Sequence, residues 1–234
     1  MHTIGSIVGV LSLLMFVGGP LLAYLRVLPP LAGFGLMALG GLIGFLATTA
    51  ALAGMIASSS GPPLGFLGLP PALFIIYGIL LGMSVPRIND ISTDLEDPPA
   101  FDKAHSFPGN SGRDLSFPES FAPLIREGYP TMQPLSVNKP ADETFDAVRR
   151  IAESWEPLQQ VHVDPDTRTI EGFVETRLFR FHDDVVIRVR PLDEGSRIDM
   201  RSKSRDGQGD FGANAKRIGA FFDLARSELK EVTP

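Results

Sequence analysis

Residues 31–58 read LAGFGLMALGGLIGFLATTAALAGMIAS, a run of 28 residues without a charged side chain. A helix rises about 1.5 Å per residue and the hydrocarbon layer of a bilayer is about 30 Å thick, so about 20 apolar residues suffice to cross it. Two similar runs flank this one, at residues 4–25 and 64–85, and turn-forming sequences rich in proline, glycine and serine separate the three. The sequence therefore predicts a membrane region, residues 1–86, with three transmembrane helices.

Charge divides the chain into two parts. Residues 1–86 contain one side chain that is always charged, Arg26, whereas the remaining 148 residues carry 20 basic and 27 acidic groups, a net charge of −7. This asymmetry excludes a purely soluble protein, because a soluble domain does not hide so long an uncharged segment. The acidic second part lacks the positive field that phosphate binding needs, so we expect no nucleic-acid partner. The absence of cysteine excludes disulfides and thiolate chemistry.

The predicted spans contain no acid and no lysine, which argues against a transporter or channel. Glycines at 33, 35, 40, 41 and 44 have the small-residue spacing that lets membrane helices approach closely. Glycine is also simply frequent in membrane helices, and we favour this simpler interpretation.

Beyond the membrane region, the sequence predicts an irregular tether and an α+β domain. Residues 87–136 are rich in proline and show no helical or strand period, and their scattered aromatic residues indicate that they lie along a surface. Residues 137–234 predict a helix of about 15 residues from Pro140, a four-stranded antiparallel sheet and a C-terminal helix at 210–230. The four predicted strands are residues 158–163, 167–181, 185–191 and 197–204, with His182-Asp183-Asp184 as a hairpin turn. The last two strands alternate apolar with charged residues, so we expect one buried face and one solvated, ion-paired face.

The junction between the last strand and the last helix is the first candidate site. Its backbone N–H groups and basic side chains suit an anion, and the candidate ligand-binding residues are Arg201, Ser204, Arg205, Gly207, Asp210, Asn214 and Arg217. The competing interpretation, which we favour, is that Asp210 caps the final helix while the glycines permit the turn. An aspartate at that position would repel an incoming phosphate.

A second candidate cluster, Asp90, Thr93 and Asp94, follows the last span. Its carboxylates could bind a divalent cation, but the spacing is not that of a calcium loop, and such runs commonly form local turns. The four histidines show no paired spacing, so we expect neither a metal site nor a cofactor.

Both clusters lie in long motifs: PRINDISTD at residues 86–94 with DPPAF at 97–101, and RSKSRDGQGDFGAN at 201–214 followed by Arg217-Ile218. In these motifs the chain resembles the domain of unknown function 1499 family, over residues 86 to about 230, although Lys203 stands where a small residue is usual. The three-span region resembles one bacterial branch of that family. The resemblance implies an inner-membrane protein whose soluble domain lies in the periplasm. Arg26 and Arg87, on the same side as that domain, argue for the cytoplasm.

Three hypotheses for function follow. The favoured one is a non-enzymatic protein whose tethered domain binds an envelope protein or small molecule close to the lipid bilayer, because no complete catalytic set is present. The second is an envelope enzyme that acts on an anionic substrate with Asp90, Asp94, Arg205, Asp210 and Arg217 in one pocket. The third is a module that binds a lipid or another apolar ligand between the sheet and the last helix.

Overall fold

The computed structural model of the chain describes residues 2–58 and 64–229, with side chains at 5–56 and 64–229. The predicted turn at 59–63 and the predicted helix end at Lys230 lie outside the described residues. The chain forms two units. The helical unit is Met1–Ser84 together with Thr176–Phe181, and the sheet unit is Val85–Glu175 together with His182–Pro234.

The helical unit consists of three apolar helices, as predicted. Helix α1 is His2–Tyr24 and α2 is Pro30–Ser58; a short 3-10 helix, Leu64–Gly68, leads into α3, Leu69–Met83. Three segments of these helices are long and apolar enough to cross a membrane: Gly5–Tyr24, Pro30–Ile56 and Leu64–Met83. Their side chains are mainly exposed leucine, isoleucine, valine and phenylalanine, which water would not tolerate on this scale. The chain is a membrane-tethered protein.

Four glycines of α2, at 33, 40, 41 and 44, lie where helices meet, so the interpretation that glycine is merely frequent in spans was wrong for these four. A Cβ added to Gly40 would come within 2.7 Å of the backbone nitrogen of Phe16, and one added to Gly33 within 2.6 Å of the Cβ of Ala23. Ser12 Oγ also donates a hydrogen bond to the Gly40 carbonyl at 2.7 Å. Gly35, in contrast, faces open space. Small residues thus permit close backbone contact between α1 and α2.

The sheet unit is built on one antiparallel sheet of six strands instead of the four predicted. The strands are β1 (Asp90–Ser92), β2 (Leu135–Val137), β3 (Leu158–Asp164), β4 (Thr169–Glu175), β5 (His182–Pro191) and β6 (Ser196–Ser204). Their order is β1-β6-β5-β4-β3, and β2 also pairs with β6. The two unpredicted strands have three residues each, which is too short for an alternating pattern to register.

The predicted hairpin turn at His182-Asp183-Asp184 was wrong, as was a second strand continuing to residue 181. Strand β4 ends at Glu175, the turn is Thr176–Phe181, and β5 begins at His182. Asp183 and Asp184 resemble turn residues by type, but both are buried strand residues. Distant arginines neutralise them, as described below, and a local pattern cannot show such partners.

The apolar face of the sheet, which was predicted to be buried, is covered by helices. Helix α5 is Ala141–Ser154 and α6 is Ala213–Leu229, and their apolar residues share one core with Ile187, Ile198 and Met200. Helix α4, Phe121–Gly128, adds Ile125 to that core. Phe211 lies within the predicted helix 210–230, but it precedes α6 and is 45% exposed.

The other face of the sheet is also covered, which corrects the expectation of a solvated face. The segment at residues 93–118 lies on it, and four of its residues form a second core with Phe173 and Val186: Phe101, Ala104, Phe107 and Leu115. Two of the scattered aromatics of the predicted tether, Phe101 and Phe107, are therefore core residues, and Phe117, Phe121 and Tyr129 are partly buried against the main core. Strand β1 and helix α4 are regular elements within the segment predicted as irregular.

Candidate functional site

Asp90, from the second candidate cluster, forms a buried ion cluster with two residues of β6. Strand β1 pairs with β6 so that Asp90 stands opposite Lys203, two residues from Arg201. Arg201 Nε and Nη2 donate to the two carboxylate oxygens of Asp90 at 2.9 and 2.8 Å, and Lys203 Nζ donates to Oδ2 at 3.0 Å. The Asp90 side chain is 0% exposed and that of Arg201 is 2% exposed. The two motifs of the sequence are thus joined through an ion cluster in the protein interior.

The segment at residues 93–118, which covers the polar face of the sheet, encloses the Arg201 guanidinium. Its nitrogens donate to the carbonyls of Pro99 at 3.1 Å and Leu115 at 2.8 Å. Its central carbon lies 4.7 Å from the ring centroid of Phe101 and 5.3 Å from that of Phe117. Stacking on aromatic faces and a planar set of donors are properties of arginine that lysine lacks. Arg201 therefore fastens residues 93–118 to the sheet.

Asp94 belongs to a different cluster, at the start of β6. It accepts hydrogen bonds from Arg190 and Arg197, and Arg188 Nη2 lies 3.3 Å from its Oδ2. Burial raises the pKa of Asp94, but backbone N–H groups of Asp97 and Glu96 and the charges of Arg197 and Arg190 outweigh it, so the net pKa lies below the ordinary value. The same arginines also contact two further carboxylates, those of Asp97 and Asp199. This cluster confirms cross-strand ion pairs, with Asp199 itself fully buried.

Thr93, the remaining residue of the candidate cluster Asp90, Thr93 and Asp94, links two strands. Its backbone N–H donates to the Met200 carbonyl at 3.0 Å, and its Oγ1 accepts from the Met200 N–H at 2.9 Å. These bonds extend the pairing of β1 with β6 by one residue.

Asp210 caps helix α6, which is the interpretation that the sequence favoured. Its Oδ1 accepts from the Gly212 N–H at 2.8 Å and its Oδ2 from the Asn214 N–H at 2.9 Å. The carboxylate thus takes the place that an anion would need at this helix start. Gly207 permits the turn with a φ of +79°, and its carbonyl accepts from the Asn89 side chain at 2.8 Å.

Arg205 and Arg217 are bound to Asp184 and Asp183, the third and second residues of β5. Arg205 Nη2 contacts Asp184 Oδ1 at 2.6 Å and Arg205 Nη1 donates to the Pro108 carbonyl at 2.6 Å, while Arg217 Nη2 pairs with Asp183. All four side chains are less than a tenth exposed. The positive charge that suggested an anion site is therefore compensated internally.

Asn214 and Ser204 complete this network. Ser202 Oγ donates to Asn214 Oδ1 at 2.7 Å, Asn214 Nδ2 donates to Ser204 Oγ at 3.0 Å, and Arg217 Nη1 donates to Ser202 Oγ at 2.9 Å. Buried polar groups that bond one another in this way fix the position of α6 against β6.

The structure does not bring together Asp94 and the turn at 205–210, which the enzyme hypothesis placed in one pocket. Asp94 contacts Arg197, near the start of β6, whereas Arg205 follows its end. Eight residues of strand separate these positions, about 26 Å at roughly 3.3 Å per residue. The two candidate clusters lie along the same strand, but Asp94 and the turn at 205–210 do not share a site.

Glu171 is a site residue that sequence reasoning missed. Its carboxylate accepts the backbone N–H groups of Asp102, Lys103 and Ala104 at 2.9 to 3.1 Å, at the start of the short helix Ala104–Ser106. Asp183, Asp184 and Lys203 were likewise absent from the proposed sites. The available signal was that acids occupy inward positions of apolar strands, where an unpaired charge is not tolerated.

His182 lies beside the Arg205 pair. Its Nε2 is 3.2 Å from Glu175 Oε2 and its ring packs edge-on against Phe173. Burial, and then the charge of Arg205, lower the pKa of His182 below its ordinary value. A neutral imidazole is therefore favoured at neutral pH.

The structure also provides neither the apolar-ligand site between the sheet and α6 nor, among the described residues, a metal site. Ile218, Phe221 and Phe222 fill the space between α6 and the sheet, where an apolar ligand would have to lie. Among residues 2–58 and 64–229, no group of three histidines or acids is placed to hold a metal ion.

An open groove of about 460 Å³ lies between the end of α5 and α6, lined by Ile151, Ser154, Trp155, Glu156, Pro157, Leu224, Ser227 and Glu228.

Comparison with known proteins adds one result. Residues 90–224, more than half of the chain, match a family model described as "Protein of unknown function (DUF1499)". The matched range runs from β1 to α6 and includes both ion clusters. No curated protein matches the chain.

Proposed function

The chain belongs to the DUF1499 family, and from this premise we propose that its sheet unit is a non-catalytic module that binds an envelope protein or small molecule. The membrane helices hold this module at the bilayer of the bacterial inner membrane. The proposal rests on one observation: most charged residues of the two motifs bond to other residues of the protein and hold it together.

The ion clusters support binding over catalysis. A general acid or base must reach a substrate proton, and a nucleophile must be activated and exposed. Asp90 and Asp184 are instead fully buried and bonded to cations. Since they fasten residues 93–118 to the sheet, they make a rigid surface, which lowers the entropy lost when a partner binds.

The groove between α5 and α6 is the surface that we assign to the partner. Trp155 lines this groove and packs against Phe221 at 5.3 Å between ring centroids. The exposed side chain of Leu224 lies on one side, and Ser227 and Glu228 provide polar groups at the edge. Apolar side chains beside polar groups are typical of a binding site, and tryptophan is enriched at positions that dominate binding energy.

Site-directed cross-linking tests this assignment, because the chain has no cysteine and a single introduced thiol is unique. Full-length Ser227→Cys, labelled with a photoactivatable cross-linker in native membranes, is expected to give a discrete adduct identifiable by mass spectrometry. Ser111→Cys, at an exposed turn outside the groove, is the matched control. Adding Leu224→Glu should abolish the Ser227 adduct. Identical adducts at both positions, or an adduct unaffected by Leu224→Glu, would reject the groove.

We also propose that the sheet unit lies on the periplasmic side. The family resemblance supports this placement, and Arg26 and Arg87 oppose it under the positive-inside rule. Alkaline phosphatase and green fluorescent protein fused after Pro234 test it, since the first is active only outside the cytoplasm and the second fluoresces only inside. Fluorescence without phosphatase activity would reverse the placement.

A further inference from the structure

The turn between β4 and β5, Thr176–Phe181, is part of the helical unit although its strands are not. Thr176 holds the turn closed: its N–H donates to the Phe181 carbonyl at 2.8 Å, and its Oγ1 accepts from the Phe181 N–H at 2.9 Å. Arg180 adopts a φ of +63° at the point where the chain reverses. We call residues 176–181 the hairpin tip. It is a defined turn that presents the sequence Thr-Arg-Leu-Phe-Arg-Phe.

The hairpin tip contacts the ends of two membrane helices. The ring of Phe34 lies edge-on to Phe179 at 5.5 Å and to Phe181 at 6.3 Å between centroids. The Arg180 guanidinium lies 4.8 Å above the ring of Tyr24, and its Nε is 3.4 Å from the Tyr24 carbonyl. Tyr24 is the last residue of α1, and Phe34 lies four residues, about 6 Å, into α2. The hairpin tip is therefore at the level where two spans leave the bilayer.

The side chains at this level have the composition of a membrane interface. Aromatic rings concentrate where apolar core meets headgroups, and arginine near that boundary attracts anionic lipids. At the apex, Arg177 is exposed and Leu178 is 52% exposed. Arg26, in the turn between α1 and α2, adds another positive charge on the same side.

We propose that the hairpin tip is a membrane-surface anchor that binds anionic lipid headgroups. Leu178 inserts between the headgroups, and the guanidinium of Arg177 donates hydrogen bonds to a lipid phosphate. A bilayer is the occupant that these contacts favour, since the same turn already packs on the ends of two spans. The anchor is independent of the groove between α5 and α6, so either assignment can fail without the other.

Spin-label depth measurements on the full chain in lipid nanodiscs test the anchor. A nitroxide at Leu178→Cys is expected to be accessible to oxygen and shielded from a water-soluble nickel chelate when the lipid contains phosphatidylglycerol. Leu192→Cys is the matched control, because Leu192 is 42% exposed and lies beyond the opposite end of β5, ten residues long. Its label should remain accessible to the chelate. Equal chelate accessibility at both positions would overturn the proposal.

A second variant tests whether the positive charge of Arg177 is needed for the hairpin tip to bind anionic lipid. Arg177→Gln should lower the ratio of inserted to water-exposed label about fivefold in anionic nanodiscs, because each arginine near such a surface contributes a fixed attraction. The loss should vanish in nanodiscs of phosphatidylcholine alone. Arg126→Gln removes an exposed arginine of α4 and should leave the ratio unchanged. A label that inserts equally well without Arg177, or equally well in neutral lipid, would show that headgroup charge plays no part.

Discussion

Replacing Asp90 by alanine should destabilise the sheet unit severely, because it leaves two buried cations without a counter-charge. Asp90 accepts two hydrogen bonds from Arg201 and one from Lys203. Removing one member of a buried ion pair typically costs about 3–5 kcal/mol, since the remaining charge has lost its water and its partner. Arg201 keeps its bonds to the carbonyls of Pro99 and Leu115, which provide partial compensation. We therefore expect a loss of about 4 kcal/mol in the free energy of unfolding.

Two further variants test whether the loss of stability comes from the burial of Asp90 and from its charge. Asp142 also pairs with an arginine, Arg168, at 2.7 Å, but its side chain is 83% exposed. Asp142→Ala should lose about 0–1 kcal/mol, because water screens and solvates exposed pairs. Arg201→Met leaves Asp90 paired with Lys203, so its loss should be smaller than that of Asp90→Ala despite the larger side chain removed.

The single tryptophan, Trp155, provides the assay, because it packs in the sheet unit against Phe221. Urea unfolding of the full chain in detergent, followed by tryptophan fluorescence at pH 7, gives the midpoint of each variant. A loss of 4 kcal/mol shifts the midpoint by about 2 M urea if the slope is about 2 kcal/mol per M. If Asp90→Ala does not fold, Arg201→Met, which leaves Asp90 paired with Lys203, replaces it and should still lose more than Asp142→Ala. Equal midpoints for the Asp90 and Asp142 variants would refute the reasoning.

Three further outcomes can be measured with the same assay. Asp210→Ala should lose about 1 kcal/mol through the missing helix cap, and Asp210→Asn should restore most of it; equal losses would contradict the capping role. Burial first, and then the charge of Arg205, lower the pKa of His182 in the folded state, so the unfolded chain binds a proton near pH 6.5 before the folded chain does. Stability should thus fall as the pH drops below about 6.5, and His182→Gln should weaken that fall between pH 7.5 and 5.5; an unchanged pH profile would contradict it. Gly195→Ala should lose more than about 2 kcal/mol, because Gly195 has a φ of +81° and a Cβ there would collide with the Val137 carbonyl. Its control, Gly219→Ala in α6, meets open space and should gain about 0.5–1 kcal/mol.

Local patterns predicted the elements whose signals are strong and continuous. The three apolar runs became α1, α2 and the segment of α3, and the four longest strands were all predicted. The limits of the second and third strands were wrong, because β4 ends at Glu175 and β5 begins at His182. Strands β1 and β2 were missed because three residues cannot display a period. The Asp210 cap was predicted because a cap depends only on residues two to four positions away.

The sequence predicted many of the residues of the candidate site, but it did not predict what they do. Asp90 and Arg201 were both named, yet they were assigned to separate clusters, one a candidate for a divalent cation and the other for an anion. Their pairing joins positions 111 residues apart, and it depends on β1 lying beside β6. Asp183 and Asp184 were read as a turn for the same reason: their partners, Arg217 and Arg205, come from later segments.

By itself, the sequence determined that this protein is membrane-tethered, that an α+β domain follows the spans, and which family it belongs to. These properties depend on hydrophobic length, periodicity and ordered motifs, all of which are local along the chain. Only the tertiary structure decided what the charged residues do. Residues 93–118 cover the polar face of the sheet and exclude water from it, so each buried charge must find an internal partner. The same reasoning applies to the hairpin tip, whose contact with the membrane helices brings together residues more than 140 positions apart.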